Sequence, residues 1–354
     1  MKKALIAMSG GVDSSVAAYL CVRDGYDCIG ATMKLYHNED INISEENSCC
    51  SLDDIEDARS VANRLGMPFH VFNFSADFKE AVIDRFIAAY EKGSTPNPCI
   101  DCNRYIKFER LFKEMRERDF DYIVTGHYAR IEFDGERYLL KKALDESKDQ
   151  SYVLFSLTQE QLSHTLFPLG NYTKEETRNI AQANDFINAR KHDSQDICFV
   201  PDGDYAAFIE KQTGKTYPDG DFINKSGQKL GTHRGIIRYT IGQRKGLGLA
   251  LPAPMYVCEK DIVNNKVVLC SNEELFASEL QAVNFNWIAF DIPPKTFKAN
   301  ARIRYNQKEQ PATITVNDNG SVTIIFDEPQ RAISKGQAVV LYDGDTVIGG
   351  GTII

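Results

Sequence analysis

Close to the start of the chain, the apolar run Ala4-Leu5-Ile6-Ala7-Met8 passes straight into Ser9-Gly10-Gly11-Val12-Asp13-Ser14-Ser15, and this into Val16-Ala17-Ala18-Tyr19-Leu20-Cys21. The first run reads as a buried strand, and the last has the 3.6-residue apolar rhythm of a helix. Glycines between them let the backbone turn tightly, and the N–H groups at the helix start collect around an anion. The stretch therefore predicts a strand–loop–helix phosphate cradle. A Walker loop needs Gly-Lys-Ser/Thr, with the lysine on the phosphates, whereas here Val12-Asp13 takes the lysine's place. The third glycine of the dinucleotide fingerprint is missing too.

The alternation of strand and helix continues. Residues 28–33 read as a second strand, followed by a polar loop to Cys50 and a helix from about Ser51, where Ser51 and Asp54 are spaced for a capping box. Residues 69–74 read as a third strand, 77–91 as a third helix, and 121–127 as a strand ending in Gly126-His127. Repeated βα units imply a parallel sheet with its ligand at the C-terminal ends of the strands. The glycine loop, Met33 and Gly126-His127 then share one edge, which makes a nucleotide pocket.

Near residue 200 the pattern changes. Residues 214–251 are rich in Gly, Lys and Arg, and from Met255 onward short strands alternate with tight turns. Hairpin signals without intervening helices predict a small β-barrel. The expected architecture is an α/β chain with a parallel-sheet domain over 1–200, a small central basic domain over 201–254 and a C-terminal β-barrel over 255–354.

The chain has 354 residues, 43% of them hydrophobic and 26% charged, which fits a globular enzyme of two or three domains. No apolar run approaches a membrane span and the first residues read as a strand, so a cytoplasmic location is expected. A net charge of −9 argues against a uniformly basic RNA-binding face. Locally the balance reverses: Lys225, Lys229, His233, Arg234, Arg238, Arg244 and Lys245 face one acid between Asp221 and Gly248, and Arg302, Arg304 and Lys308 follow. Such runs are either solvated faces or RNA contacts.

Nine cysteines, an odd number, point to thiol or metal chemistry rather than to a disulfide scaffold. Cys21, Cys28, Cys258 and Cys270 fall in apolar segments and read as core. Cys49, Cys50, Cys99, Cys102 and Cys198 lie in polar, turn-rich stretches. Cys99-Ile100-Asp101-Cys102 follows the rigid Thr95-Pro96-Asn97-Pro98 and leaves zinc, a redox dithiol and an iron–sulfur site open. A four-cysteine zinc site wants a second spaced pair, which the adjacent Cys49 and Cys50 do not supply.

Taken in order, SGGVDSS, TPNPCIDCNRYIKF, TGHYAR, KDQSYVLFSL, DSQDICFV, TIGQRKGLGL and IFDEPQRAISKGQAVVLY extend from Ser9 to Tyr342. The first resembles the PP-loop ATP pyrophosphatases, and the full set resembles the tRNA-specific 2-thiouridylase family. The resemblance implies a PP-loop domain of the adenine nucleotide hydrolase type and a tRNA-uridine 2-sulfurtransferase. Its reaction replaces the oxygen on carbon 2 of the wobble uridine in tRNAs for Lys, Glu and Gln by sulfur, at the expense of ATP. Ala7, Met8, Ser9, Gly10, Gly11, Val12, Asp13 and Ser14, with Met33 and Gly126, would bind ATP, and Asp13 suits a magnesium ion.

The same resemblance makes Cys102 and Cys198 the catalytic pair. Cys198 would carry a persulfide received from a sulfur-carrier protein or cysteine desulfurase, and Cys102 would be the partner nucleophile, a disulfide between them being left to be reduced. Asn97, Pro98 and Cys99 would line the pocket of the flipped target base. His127, Lys148, Asp149, Gln150, Arg304, Tyr305 and Gln337 would contact the tRNA anticodon region. Cys99 leaves a second route open, in which Cys99, Cys102 and Cys198 hold an iron–sulfur cluster. Another PP-loop adenylating ligase is the remaining alternative, and the sequence carries no signal of oligomeric state.

Overall fold

In the computed structural model, which describes residues 1–36, 52–191 and 197–354, a parallel sheet opens the chain. Its strands and their helices run β1 (Lys3–Ala7), α1 (Val12–Arg23), β2 (Asp27–Lys34), α2 (Leu52–Arg64), β3 (Phe69–Asn73), α3 (residues 75–91), α4 (residues 98–117) and β4 (Tyr122–Val124). A hairpin, β5 (Ala129–Phe133) and β6 (Tyr138–Lys142), then leaves the sheet. After α5 (Gln159–Ser163) the chain returns to it as β7 (Thr165–Leu166), and α6 (Lys174–Ala183) follows.

Spatial order in this sheet is β3-β2-β1-β4-β7, with every pairing parallel. The chain winds outward from β1 to β3 and resumes on the other side at β4. The C-terminal ends of β1 and β4 therefore flank the switch point where such sheets bind ligands. Ala4, Leu5 and Ile6 are buried on both faces, as a central parallel strand requires. Small residues on α1, from Ser14 to Ala18, are buried against that sheet and let the helix approach closely.

Ser51, Cys49 and Cys50 lie outside the described residues. Asp54 does not serve as a cap partner there: its carboxylate receives the Lys191 ammonium at 2.5 Å. The strand expected over 121–127 stops pairing at Val124, which frees Thr125, Gly126 and His127 for the site.

Beyond α7 (Tyr205–Thr213) comes a four-stranded sheet of β8 (Gly220–Asn224), β9 (Lys229–His233), β10 (Tyr256–Asp261) and β11 (Lys266–Cys270), in the order β10-β11-β8-β9. The sequence placed residues from 255 on in the C-terminal barrel. Instead β11 pairs in parallel with β8, Val267 opposite Phe222, and buries Val267, Leu269 and Phe222 completely. Hairpin periodicity shows that β10 and β11 pair with each other, but not which sheet they join. The central sheet thus runs across residue 254.

The last six strands are β12 (Phe276–Trp287), β13 (Thr296–Arg302), β14 (Gln310–Val316), β15 (Val322–Arg331), β16 (Ala338–Asp343) and β17 (Thr346–Ile353). They run in the order β12-β15-β14-β13-β16-β17, and a β12–β17 pairing closes the ring into a barrel around its own core, with Leu280, Ile314, Ile324 and Leu341 inside. The β5–β6 hairpin adds to the barrel by its Lys141–Thr346 pairing. Phe155 seats against Gly350, where a Cβ would meet the ring at 2.7 Å, and Asn286 donates to the Phe155 and Leu157 carbonyls. The segment 152–157 is therefore the dock between the first domain and the barrel. Among the described residues, no helix is long and apolar enough to cross a membrane.

Candidate functional site

The glycine loop is held in shape by its own hydroxyls and by α6 and its sequel. Ser14 Oγ accepts from the Ser9 amide and donates to the Gly11 carbonyl, while Ser15 Oγ also donates to that carbonyl. Asn188, almost fully buried, donates to the Gly10 carbonyl and to Ser15 Oγ. Gly10 has φ +75, and a Cβ there would sit 2.8 Å from Asp54 Cα, so both conformation and space demand glycine. The first-turn N–H groups of α1, which have no intrahelical partner, open onto the end of the sheet.

Gly126 closes the other side. A Cβ on it would lie 2.7 Å from the Ser14 nitrogen, so the end of β4 packs directly on the first turn of α1. The structure thus brings Ala7 to Ser14 together with Gly126 at the switch point. Met33 lies near the C-terminal end of β2, half-buried on the main core.

Asp13 is engaged by groups that the sequence reading did not single out. Both its oxygens receive the Lys174 ammonium, at 2.7 and 2.9 Å, and Tyr128 donates its hydroxyl to it at 2.9 Å. Tyr128 is in turn fixed by Gln150, whose side-chain oxygen accepts from its amide and whose own amide donates to its carbonyl. Gln150, expected on RNA, therefore also supports the nucleotide loop.

The second half of the site is the start of α4. Asn97 caps the helix by accepting from the Cys99 amide, and Pro98 occupies the first turn, where a missing N–H has no consequence. From Cys102 to Arg110 the helix is a π-helix. Such segments concentrate at functional sites, and their wider turn places residues five apart on one face. Cys102 and Lys107 are so related. Burial pushes the Cys102 thiol up to about 11, and the Lys107 ammonium pulls the other way.

Lys107 also reaches His127, its Nζ 3.5 Å from Nε2, while Nδ1 lies 2.7 Å from Thr125 Oγ1. An ammonium only donates, so Nε2 accepts and Nδ1 carries the ring proton. Burial, reinforced by Lys107, holds the His127 pKa well below its usual value, which leaves the ring neutral. His127 is itself only 7% exposed, packed on Phe108 and Phe167. Lys107, half-buried, is the more accessible of the two.

Around α4 gathers the barrel. Gln337 donates to the Thr95 carbonyl at 2.7 Å, and the Thr95 amide donates to the Lys335 carbonyl at 2.9 Å. Tyr305 donates to the Asp149 carbonyl at 3.2 Å, and its electrostatic neighbours include Cys99. Asp149 is buried, accepting from Ser151 and from the Ala143 amide and paired with Arg302 at 3.4 Å. Arg304 donates to the Ala332 carbonyl and to Ser334. Lys148 sits half-buried in the turn that begins at Asp145. The positions expected on tRNA thus converge on the Thr95–Cys102 segment, with Asp149 and Arg304 engaged in its supporting framework.

Cys198 is half-buried and packs on the same core as Cys102. Tyr36 donates to its carbonyl at 3.0 Å, and Phe199 after it anchors in a cluster with Phe78, Phe86 and Phe208. Residues 192–196 of the DSQDICFV segment lie outside the described residues. Cys99 is exposed. Among the described residues no three cysteines, histidines or carboxylates are grouped so as to hold a metal ion, so Cys99, Cys102 and Cys198 do not form a cluster ligand set in this arrangement.

The basic central segment is largely neutralised. Lys225 pairs with Glu274, Lys229 with Asp221 and Arg238 with Glu210, and His233 is buried. Arg234, Arg244 and Lys245 remain exposed.

Comparisons with known proteins agree with this layout. A family model described as the tRNA methyl transferase HUP domain matches residues 2–202, the tRNA methyl transferase PRC-barrel domain 206–271, and the aminomethyltransferase beta-barrel domain 277–353. A tRNA-specific 2-thiouridylase of Clostridioides difficile is 52% identical over 99% of this chain and 98% of its own. Those of Clostridium acetobutylicum and Acetivibrio thermocellus are each 50% identical over 99% of both chains. Likeness to solved structures is remote, as with a 4-thiouridine synthetase–RNA complex with bound ATP, 18% identical with a TM-score of 0.35 over 60% of this chain and 50% of that one. With half its residues shared over essentially the full length of these relatives, the chain belongs to the tRNA-specific 2-thiouridylase family.

Proposed function

We propose that the protein thiolates carbon 2 of the wobble uridine of tRNA, using ATP to activate the base and a cysteine persulfide as the sulfur source. The observation that carries this reading is the meeting of two sites: Lys107, on the helix that begins with Cys102, touches His127, next to the Gly126 that closes the nucleotide loop. A base held over Cys102 is then within reach of a nucleotide at the loop.

The uridine oxygen attacks the α-phosphorus of ATP, forming an adenylated base and releasing pyrophosphate toward the α1 N-terminus. Carbon 2 now carries a good leaving group. The terminal sulfur of a Cys198 persulfide attacks it and AMP departs, leaving the base joined to Cys198 through two sulfurs. Cys102 attacks Cys198 Sγ, forming the Cys102–Cys198 disulfide and releasing 2-thiouridine. A reducing thiol restores both cysteines, and a sulfur-carrier protein or desulfurase reloads Cys198.

Magnesium fits Asp13, since this ion needs few protein carboxylates when phosphates and water complete its shell. It would supply charge neutralisation on the departing pyrophosphate. Asn97, Pro98 and Cys99 form the rim beside Cys102, with Tyr305 opposite as a stacking surface for a base taken out of its stack. Exposed Arg244 and Lys245 supply backbone contacts. A tRNA substrate places the enzyme in the cytosol. The first domain is assigned to 1–200, the basic unit begins at 201, and the barrel forms the last unit.

The test uses anaerobically purified protein, ATP, magnesium, an unmodified tRNA of the Lys, Glu or Gln set and a persulfide-loaded desulfurase. Nuclease digestion and mass spectrometry should reveal 2-thiouridine, lost in Cys198→Ser and in Cys102→Ser. Thiolation that survives both substitutions would sink the persulfide route.

A further inference from the structure

A loop that binds the pyrophosphate end of ATP needs positive charge, and this one contains none. Residues 8–15 carry no lysine or arginine and do carry Asp13, in the first turn of α1. The helix terminus supplies only about half an elementary charge, so Asp13 alone outweighs it. Two lysines approach the loop from elsewhere in the chain. Lys191 lies 3.5 Å from the Gly10 carbonyl but is held between two carboxylates, Asp54 at 2.5 Å and Asp57 at 2.7 Å. Lys174 is held at the loop by one carboxylate only, that of Asp13.

We propose that Lys174 is the phosphate-binding cation of the loop, parked on Asp13 until the pyrophosphate portion of ATP arrives. The inference rests on the ATP-dependent reading above and adds the residue that the loop's own sequence lacks. Lys174 comes from 161 residues beyond Asp13 and starts α6, where a Thr173–Glu176 capping box fixes the first turn and Asp145 accepts from the Lys174 amide. The side chain is only 11% exposed, so the ammonium lies inside the wall of the site rather than in bulk water. Its base is rigid and its four-carbon stem swings.

Exchange is cheap in this geometry. Asp13 keeps the Tyr128 hydroxyl when the ammonium turns to a phosphate oxygen, and Tyr128 is itself braced by Thr177 and Gln150. A carboxylate released in this way is the one suited to magnesium. Lys174 and the metal would thus enter service together, each taking one of the two charges that now neutralise one another.

Direct calorimetric titration with ATP, inorganic pyrophosphate and AMP, in magnesium, separates this role from simple support of Asp13. Lys174→Gln should weaken ATP and pyrophosphate about tenfold or more, the loss of one charge-assisted hydrogen bond, with AMP unchanged. Lys174→Arg should restore most of the loss. Asp13→Asn, titrated without magnesium, should bind pyrophosphate at least as tightly as the wild type, because its lysine is released. Equal weakening of all three ligands by Lys174→Gln, or none, overturns the inference, as does weaker metal-free pyrophosphate binding by Asp13→Asn. A thermal melt of each variant checks that the fold persists. A wild type that binds neither ATP nor pyrophosphate overturns the functional reading itself, and the inference with it.

Discussion

Gln337, in the C-terminal barrel, donates its side-chain amide to the carbonyl of Thr95, 242 residues earlier in the chain and 2.7 Å away. A Cβ on the neighbouring Gly336 would fall 2.9 Å from that of Ser94, so barrel and loop are in direct contact. The barrel is therefore a wall of the thiol site as well as an appended RNA-binding unit. It fixes the peptide that leads through Asn97 and Pro98 into the Cys102 helix.

Gln337→Ala removes that anchor and leaves the nucleotide loop untouched. Thiolation should fall about tenfold, the scale expected when a reacting group is displaced by a fraction of an ångström. ATP affinity should remain at the wild-type value. Single-turnover thiolation and calorimetry on the same variant distinguish the two halves of the site, and a parallel loss of ATP binding would contradict this division.

Gly126→Ala tests the contact between β4 and α1. The added methyl would meet backbone atoms, Ser14 nitrogen at 2.7 Å and the Asp13 carbonyl carbon at 2.8 Å, and neither can rotate aside. Overpacking of this kind costs about 1–3 kcal/mol. Denaturant unfolding should show that loss, and ATP affinity should drop because α1's first turn is pushed out of register. Normal affinity in a destabilised variant would mean that the nucleotide does not use that turn.

The Cys102 thiol, raised to about 11 by burial, should be alkylated slowly at neutral pH. Labelling should accelerate about tenfold per pH unit between about pH 7 and 9.5 without a plateau, since the thiolate is the reactive species. Lys107→Gln removes the neighbouring ammonium and should slow labelling at every pH in that range. Peptide mass spectrometry after iodoacetamide resolves Cys102 from the exposed Cys99. A plateau below about pH 8 would show that the thiol is far more acidic than its burial implies.

The nucleotide loop was legible because strand, glycines and helix are contiguous, and each of its hydrogen bonds spans five residues or fewer. What depends on distant parts of the chain was not. Lys174 announces only a capping box in sequence, and nothing near it points to Asp13. The π-helix after Cys102 uses ordinary helix formers, so its pairing of Cys102 with Lys107 has no local signature. Tyr256–Asp261 and Lys266–Cys270 alternate like any hairpin, and long-range packing assigns them to the central sheet. Motif positions such as His127 and Asp149 pointed to the correct region, yet both are buried, and they act there by holding Lys107 and the Tyr305–Arg302 framework.

Asp101, beside Cys102, has a carboxyl pushed up to about 6 by burial, against the pull of Arg85 and Arg104. Its folded value lies above the unfolded one of about 3.9. The folded state therefore holds a proton that the unfolded state loses, and linkage makes stability fall as pH rises from about 4 to 6, with no further change from this group above that. Asp101→Asn carries no charge at any pH. It should melt at a higher temperature than the wild type above about pH 6.5, and the difference should shrink as pH is lowered toward 4. Thermal melts of both proteins across this range measure it directly. A stabilisation that stays constant with pH would mean that Asp101 is not held protonated by its surroundings, and that Asn simply packs better at the start of the Cys102 helix.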